Sequence, residues 1–447
     1  MIRSSVHRYS FEDGAVQRVQ KVCLESWDGL RFLRPEPSPD AFAKLCSLYG
    51  EYIIKKYAKI FGKVVLFRIP PGTKIPFPVE DPEYGRIVDA CTAVSAAFRK
   101  EIRCERGKLI FRDAAVRAFY EELKQKGCLY LAEGERSSVS ILPVGEELGF
   151  LSRSCPDAQL KVNASFFVMD ILDVATAYDR IGVPIGLCVR DGEILNPPLF
   201  DREALLVDGA GKVSVRKLSL SEISVEIGGV SYRDGENAVF CTRPKRKRTP
   251  KGGFDWIVVG NRVVAFRAGG DTLIPSGGFA VHLDRSPDSS ADREVRYSGM
   301  EEIRFGIQVG NSVAVDGVRT AGFVSPFYNF LQFWKPSYPP SFYPLNYKKS
   351  RAPRIVLGAD SADMPVLLWF EGAGKFGYEA GKDSSGVSLS EAADICADLG
   401  IRNGVHLDGG GSAQILIGNI RELLISDRDP SDLSEQERAV SMGLFVP

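Results

Sequence analysis

The sequence predicts an α+β or α/β protein, a mixed β-sheet domain with packed helices preceded by a mainly helical N-terminal region. Three observations predict it. Apolar residues recur at helical spacing before residue 127, short β-rich runs broken by glycine follow from Cys128, and a strand, helix and strand pattern lies near the end. The expected domains are therefore residues 1–127, of unknown role, and 128–447, with inserts near 243–253 and 325–350.

In the first region Asp40 precedes Phe42, Leu45, Cys46 and Tyr49, while Ile87, Ala90, Cys91, Val94, Ala97 and Phe98 repeat at helical intervals. Asp113 can cap a helix bearing Val116, Phe119, Tyr120 and Leu123, with Gly127 placed to end it. The proline-rich stretch 69–82 reads as a connector. From Cys128 onward, strands are expected at 139–144, 160–167, 185–190, 254–259, 263–267 and 279–283. Two inserts interrupt them. One is the basic run Arg243-Pro244-Lys245-Arg246-Lys247-Arg248; the other, 326–347, interleaves five prolines with nine aromatics.

The last hundred residues are the most legible. Residues 354–360 and 366–371 read as a hairpin, followed by a helix whose capping box is Ser388 and Glu391 and whose end is Gly400. A strand at 404–407 then delivers the chain to Asp408. Strand, crossover helix and strand should run parallel and right-handed, so Asp408 is expected at the carboxyl end of a strand. A second hairpin follows, turning at Gly418-Asn419.

Composition limits the partners. Lys+Arg and Asp+Glu are both 57 among 447 residues, so no global field gathers polyanions or an anionic membrane. No secretory leader or run of about 18 apolar residues is read. Nine scattered cysteines, none in Cys-x-x-Cys spacing, read as reduced thiols, and a cytoplasmic location is expected. His7, His282 and His406 are the only histidines, too few for a multi-histidine metal site.

The chemistry concentrates in Asp408-Gly409-Gly410-Gly411-Ser412. Three glycines leave the backbone uncovered by any Cβ, so a ligand can approach the N–H groups, with a carboxylate on one side and a hydroxyl on the other. The alternative is a tight turn in which Asp408 satisfies its own loop amides.

Residues 407–413 resemble the signature of the phosphodiester glycosidase family. Other segments fall in that family's order: Val162-Asn163-Ala164-Ser165-Phe166-Phe167, Ile274-Pro275-Ser276-Gly277-Gly278-Phe279, Arg351-Ala352-Pro353-Arg354-Ile355-Val356-Leu357-Gly358, Val387-Ser388-Leu389-Ser390-Glu391 and Arg438-Ala439-Val440. The resemblance implies a hydrolase that cleaves the bond between an anomeric carbon and a phosphodiester oxygen, releasing the sugar. Such a transition state resembles an oxocarbenium ion, and phosphate leaves readily, so the needs are a carboxylate near the sugar and cations near the phosphate. Asp408 is assigned the carboxylate, Arg354 the phosphate, and Glu371 a second carboxylate; Asp360 is read as a turn acid. Arg351, Asn163, His406, Gly409, Gly410, Gly411 and Ser412 are assigned to substrate binding. His406 is read in the first place as a half-buried histidine bonded to a neighbouring backbone carbonyl, and Asn163 is equally consistent with a turn cap.

Three departures bear on substrate identity: Ala164-Ser165 in place of two glycines, His406 in place of asparagine, and Glu371 in place of aspartate. No cofactor is required, although Asp408, Asp360 and Glu371 are hard oxygen ligands that suit a divalent cation. The expected partner is a small glycosyl-phosphate or glycoconjugate, with no membrane. The basic loop 243–248, read mainly as solvated, leaves polyanion binding open. Trp334 is the stacking candidate in the aromatic insert. A second reading is a non-catalytic carbohydrate- or polyanion-binding module on the same scaffold, and a third gives residues 1–127 a partner-recruiting role.

Overall fold

A computed structural model describes residues 2–38, 41, 148–168, 182–243, 245–246, 248–287, 294–320, 351–372, 384–428 and 432–447, and the backbone of short strands within 64–143. The expected class is corrected: the protein is mostly β-sheet. Among the described residues there is one α-helix, Leu389–Asp398, against eight sheets. The N-terminal elements described are strands as well, beginning with Arg3–Ser10, Val16–Cys23 and Arg31–Leu33. The helices expected at 40–49, 87–98 and 113–123, and the aromatic insert with Trp334, lie outside the described residues, apart from Ala41.

The N-terminal correction has a tertiary cause. Val16–Cys23 pairs antiparallel with Pro365–Phe370, a strand whose six residues are all buried. Arg3–Ser10 folds back on Val16–Cys23 through a turn in which Gly14 takes φ +81° and the Asp13 carboxylate accepts the Ala15 N–H at 3.1 Å. A strand of mixed polarity such as Val-Gln-Arg-Val-Gln-Lys-Val-Cys is stabilised by that distant apolar edge, not by its own propensity. Arg31–Leu33 likewise pairs with Gly443–Val446.

The sheet that positions the site has seven strands, in the order Arg3–Ser10, Val16–Cys23, Pro365–Phe370, Arg354–Ala359, Asn403–His406, Ser312–Val315, Val318–Arg319. The hairpin 354–370 forms as expected. The crossover differs in detail. Pro365–Phe370 and Asn403–His406 run the same way, but Arg354–Ala359 lies between them and pairs antiparallel with both.

Both faces of this sheet are covered, which explains its uninterrupted apolar runs. Ile355, Leu357, Leu367, Trp369, Val405 and Leu407 enter the large core, while Val356, Val366, Leu368 and Phe370 pack beneath the helix through Ala392, Ala393 and Cys396. The helix begins as the sequence predicts. Ser388 accepts the Glu391 N–H at 3.2 Å, and the Glu391 carboxylate accepts the Ser388 N–H at 2.8 Å.

A second, four-stranded sheet supplies the other wall, in the order Ile415–Ile417, Leu160–Asn163, Gly443–Val446, Arg31–Leu33. The Asp408 loop is the link between the two sheets, leaving the first at His406 and joining the second at Ile415.

Candidate functional site

Asp408 emerges at the carboxyl end of the Asn403–His406 strand, and each bond it makes pins it between the two sheets. Leu407 donates its N–H to the Ile355 carbonyl at 2.9 Å, Asp408 to Ala164 at 2.8 Å and Gly410 to Pro353 at 2.9 Å. A short 3-10 turn, Gly410–Ser412, completes the loop. Asn163 acts as a cross-brace, donating from Nδ2 to the Asp408 carbonyl at 2.7 Å and accepting the Gln414 N–H at 2.9 Å. Both of its amide ends are committed to holding the loop.

The three glycines have three separate reasons. Gly409 leaves room for the Pro353 carbonyl, which would stand 2.8 Å from a Cβ; Gly410 takes φ +61°; and a Cβ on Gly411 would collide with the Asp427 and Arg438 side chains. The open amide cradle expected from the sequence is largely used by the protein itself. The N–H groups of Asp408, Gly409, Gly410, Ser412 and Ala413 all have partners, Gly409 donating to the Asp408 carboxylate at 2.9 Å.

What the loop offers is the Asp408 side chain. It is buried, and burial pushes its carboxyl up to about 7, against the pull of hydrogen bonds from the Ser412 hydroxyl and the Gly409 N–H. A carboxyl group that changes charge near neutrality is suited to proton transfer or to stabilising a developing cation.

Behind it stands a pair whose role sequence reasoning missed. Arg438 holds Asp427 through two bonds, at 2.9 and 3.1 Å, and its Nη1 lies 3.4 Å from the Ser412 hydroxyl oxygen. Asp427, Arg438, Ser412 and Asp408 thus form one buried polar chain. Burial pulls the Arg438 guanidinium down to about 9. The only trace of this in the sequence was the motif containing Arg438; nothing local to Asp427 marked it.

The other assigned residues separate into two groups. Arg354 is beside the site: the Asp408 loop docks on the Pro353–Arg354 backbone, and a Cβ at Gly409 would lie 3.5 Å from the Arg354 Cα. Its side chain is buried, donates from Nε to the Val387 carbonyl at 2.7 Å, and has its pKa pulled down to about 10 by burial. His406 is buried nearby, held neutral by burial and by the Arg354 charge, its pKa pulled down to about 3.

Glu371 and Arg351, by contrast, act as ties. The Glu371 carboxylate accepts from Arg18 Nε at 2.6 Å, Arg18 Nη2 at 2.5 Å, the Leu424 N–H at 2.8 Å and the Ser384 hydroxyl. Arg351 bonds Asp13 at 2.6 Å and Glu391 at 2.6 Å, with its guanidinium 4.3 Å from the centre of the Phe11 ring. Each joins the N-terminal hairpin to the C-terminal half. Asp360 accepts the Ala362 and Met364 N–H groups in its turn. Among the described residues no three His, Cys, Asp or Glu side chains gather as metal ligands, so Asp408, Asp360 and Glu371 do not form the cation set their chemistry would suit.

In the basic run, Arg243 bonds the Ile274 carbonyl, Lys245 pairs with Asp201 at 3.4 Å and Arg248 with Asp271 at 3.7 Å. A further buried contact, His282 Nδ1 to Asp255 at 2.7 Å, is completed by the Thr249 and Thr272 hydroxyls on the same carboxylate. It ties neighbouring strands together.

The site is thus a buried acid, pushed towards neutrality by burial, set on a glycine loop at a strand end beside a buried arginine. Residues 257–447 match the phosphodiester glycosidase family, so the resemblance read from the Asp408 loop stands over that stretch. The motif at 162–167 lies outside it in sequence and reaches it in space through Asn163. No curated protein matches the chain.

The solved structures similar to this chain include three that each match the whole of this chain. A hypothetical protein from Synechocystis is 14% identical, with TM-score 0.43, and this chain spans 62% of its length. The zebrafish N-acetylglucosamine-1-phosphodiester alpha-N-acetylglucosaminidase catalytic domain, auto-inhibited by its pro-peptide, is 10% identical with TM-score 0.39 over 82% of that chain. A putative exported protein from Burkholderia pseudomallei is 15% identical with TM-score 0.41 over 97% of that chain. Among the described residues no helix is long and apolar enough to cross a membrane.

Proposed function

We propose that this protein hydrolyses the glycosidic bond of a sugar 1-phosphodiester, releasing the sugar. The observation that carries the reading is the buried Asp408 carboxyl, poised near neutrality on the loop that the family match includes. Asp408, once ionised, stabilises positive charge developing at the anomeric carbon or orients the attacking water. Arg354 holds the phosphate. Ser412 and Arg438 keep the carboxylate aimed and partly ionised, while Glu371 and Arg351 tie the N-terminal hairpin to the C-terminal half.

The test is a release assay on a panel of sugar 1-phosphodiesters, run with and without a chelator. Sugar release that depends on the diester linkage is expected. Absence of release from every member, in folded protein, would sink the reading.

Ser412→Ala gives an independent check. The Ser412 hydroxyl favours the ionised form of Asp408, so its loss raises the Asp408 pKa. The acidic limb of kcat against pH is expected to move to higher pH, with activity at pH 8 or above reduced least. An unmoved limb would take Asp408 out of the rate profile.

A further inference from the structure

The seven-stranded sheet ends on two unlike edges. Val318–Arg319 closes one of them with two residues, and Arg319 is tied to Asp394 at 2.5 Å. Arg3–Ser10 forms the other, eight residues long, and among the described residues no strand pairs with its outer side. A long edge with unused main-chain groups is a template for another strand.

Which groups it offers follows from the hairpin register. Phe11 donates its N–H to the Ala15 carbonyl at 2.9 Å, so the odd-numbered residues of the strand bond inward, Tyr9 with Gln17 and His7 with Val19. Arg18, an even-numbered residue of the second strand, bonds the other way, its carbonyl accepting the Glu371 N–H at 3.1 Å. Ser4, Val6 and Arg8 therefore turn their N–H and C=O groups outward. Val6, though apolar, is 44% exposed at the middle of this row.

The charges say what fits there. Arg8 stands directly opposite Arg18, an unfavourable like-charge pair, and the Arg18 guanidinium is taken by Glu371. Arg8 itself forms no ion pair among the described residues. Two exposed acids flank the strand. On the Val6 face Glu422 accepts the Ser4 hydroxyl at 2.8 Å and Gln20 Nε2 at 2.9 Å; on the helix-covered face Asp398 accepts the Tyr9 hydroxyl at 2.7 Å.

We propose that a second copy of this chain adds to this edge, antiparallel about a two-fold axis at Val6, so that one sheet runs through both copies. Outward-facing residues meet only outward-facing ones. The axis at Val6 pairs Val6 with itself and Ser4 with the partner's Arg8, each through two main-chain bonds. Arg8 then lies opposite the partner's Ser4, beside the partner's Glu422. On the other face Arg3 lies opposite the partner's Tyr9, beside the partner's Asp398. Both contacts occur twice by symmetry. An axis at Ser5 or His7 sets Arg8 opposite Ile2 or Val6 and loses them. The basic residues thus protect the edge from indiscriminate pairing and admit the one register in which acids await them.

The test is sedimentation velocity of the full chain. A monomer–dimer equilibrium with Kd on the order of 10 µM is expected for so small a contact. Val6→Pro removes an N–H that the monomer does not use and that the axis repeats, so dimerisation should weaken at least about tenfold while the dilute monomer melts as wild type does. Arg8→Glu, at an exposed position, should weaken it similarly, and Glu422→Lys added to that chain should restore it. A wild type that stays monomeric up to about 200 µM, far above that Kd, would overturn the proposal. So would Val6→Pro or Arg8→Glu chains that dimerise as wild type does, or a charge-reversed double variant that stays apart.

Discussion

Asp408→Asn is expected to lower kcat on a responsive sugar 1-phosphodiester by about 10²–10⁴-fold, the range that a positioned acid or base supplies. KM should change little, because the substitution keeps the shape of the group and leaves Arg354 in place. The wild-type acidic limb, set by a carboxyl near 7, should disappear with it. Stability gives a second readout with its own sign. A carboxyl whose folded pKa lies above the unfolded value of about 3.9 keeps a proton that the unfolded chain has released. The wild type therefore loses stability as pH rises from about 4 to about 7, by an amount on the order of a few kcal/mol, and is level above that. The Asn variant lacks the Asp408 part of this slope, keeping the part from Asp427, whose carboxyl burial also pushes up to about 7, and is expected to be the more stable protein at pH 8. Full activity in the variant would remove Asp408 from the mechanism, and a parallel pH slope in both proteins would remove the burial argument.

Arg438→Met is expected to cost about 3–5 kcal/mol in chemical denaturation, because it removes the guanidinium that holds the buried Asp427 carboxylate through two bonds. Both side chains are shielded, at 8% and 12% exposure, so solvent does little to relieve the loss. Activity should fall as well, since the same guanidinium stands behind Ser412 and Gly411. The double variant Asp427→Leu with Arg438→Met separates these effects. Removing both charges should restore much of the stability, whereas the backing of Ser412 stays absent and activity stays low. A double variant as unstable as Arg438→Met would show that shape, not charge pairing, dominates there.

Different parts of this architecture were legible to different degrees. The hairpin 354–370, the capped helix and the approach to Asp408 could be read directly because their signals are local: an apolar run bounded by turn residues, a Ser-x-x-Glu box, a glycine end. The N-terminal strands could not. Val16–Cys23 finds its partner, Pro365–Phe370, some 345 residues away, and its polar alternation has meaning only against that strand. The helix spacing read between residues 40 and 123 falls mostly outside the described residues, while the strands that are described there carry the region into the β class.

In the site, residue type alone identified Asp408 as the acid and the three glycines as a place where side chains are excluded. It did not say what excludes them. The tertiary structure gives each glycine its own reason, turns Glu371 and Arg351 from candidate ligands into ties between chain halves, and adds the Asp427–Arg438 pair.

The chain's own order of residues thus determined that an acid sits on a glycine loop after a strand, and which family that loop resembles. Only the tertiary structure decided the fold class, the charge state of the acid and the company it keeps. The reason is physical: turns, caps and sterics act over a few residues, whereas burial, which sets both strand pairing and pKa, depends on what distant segments bring into contact.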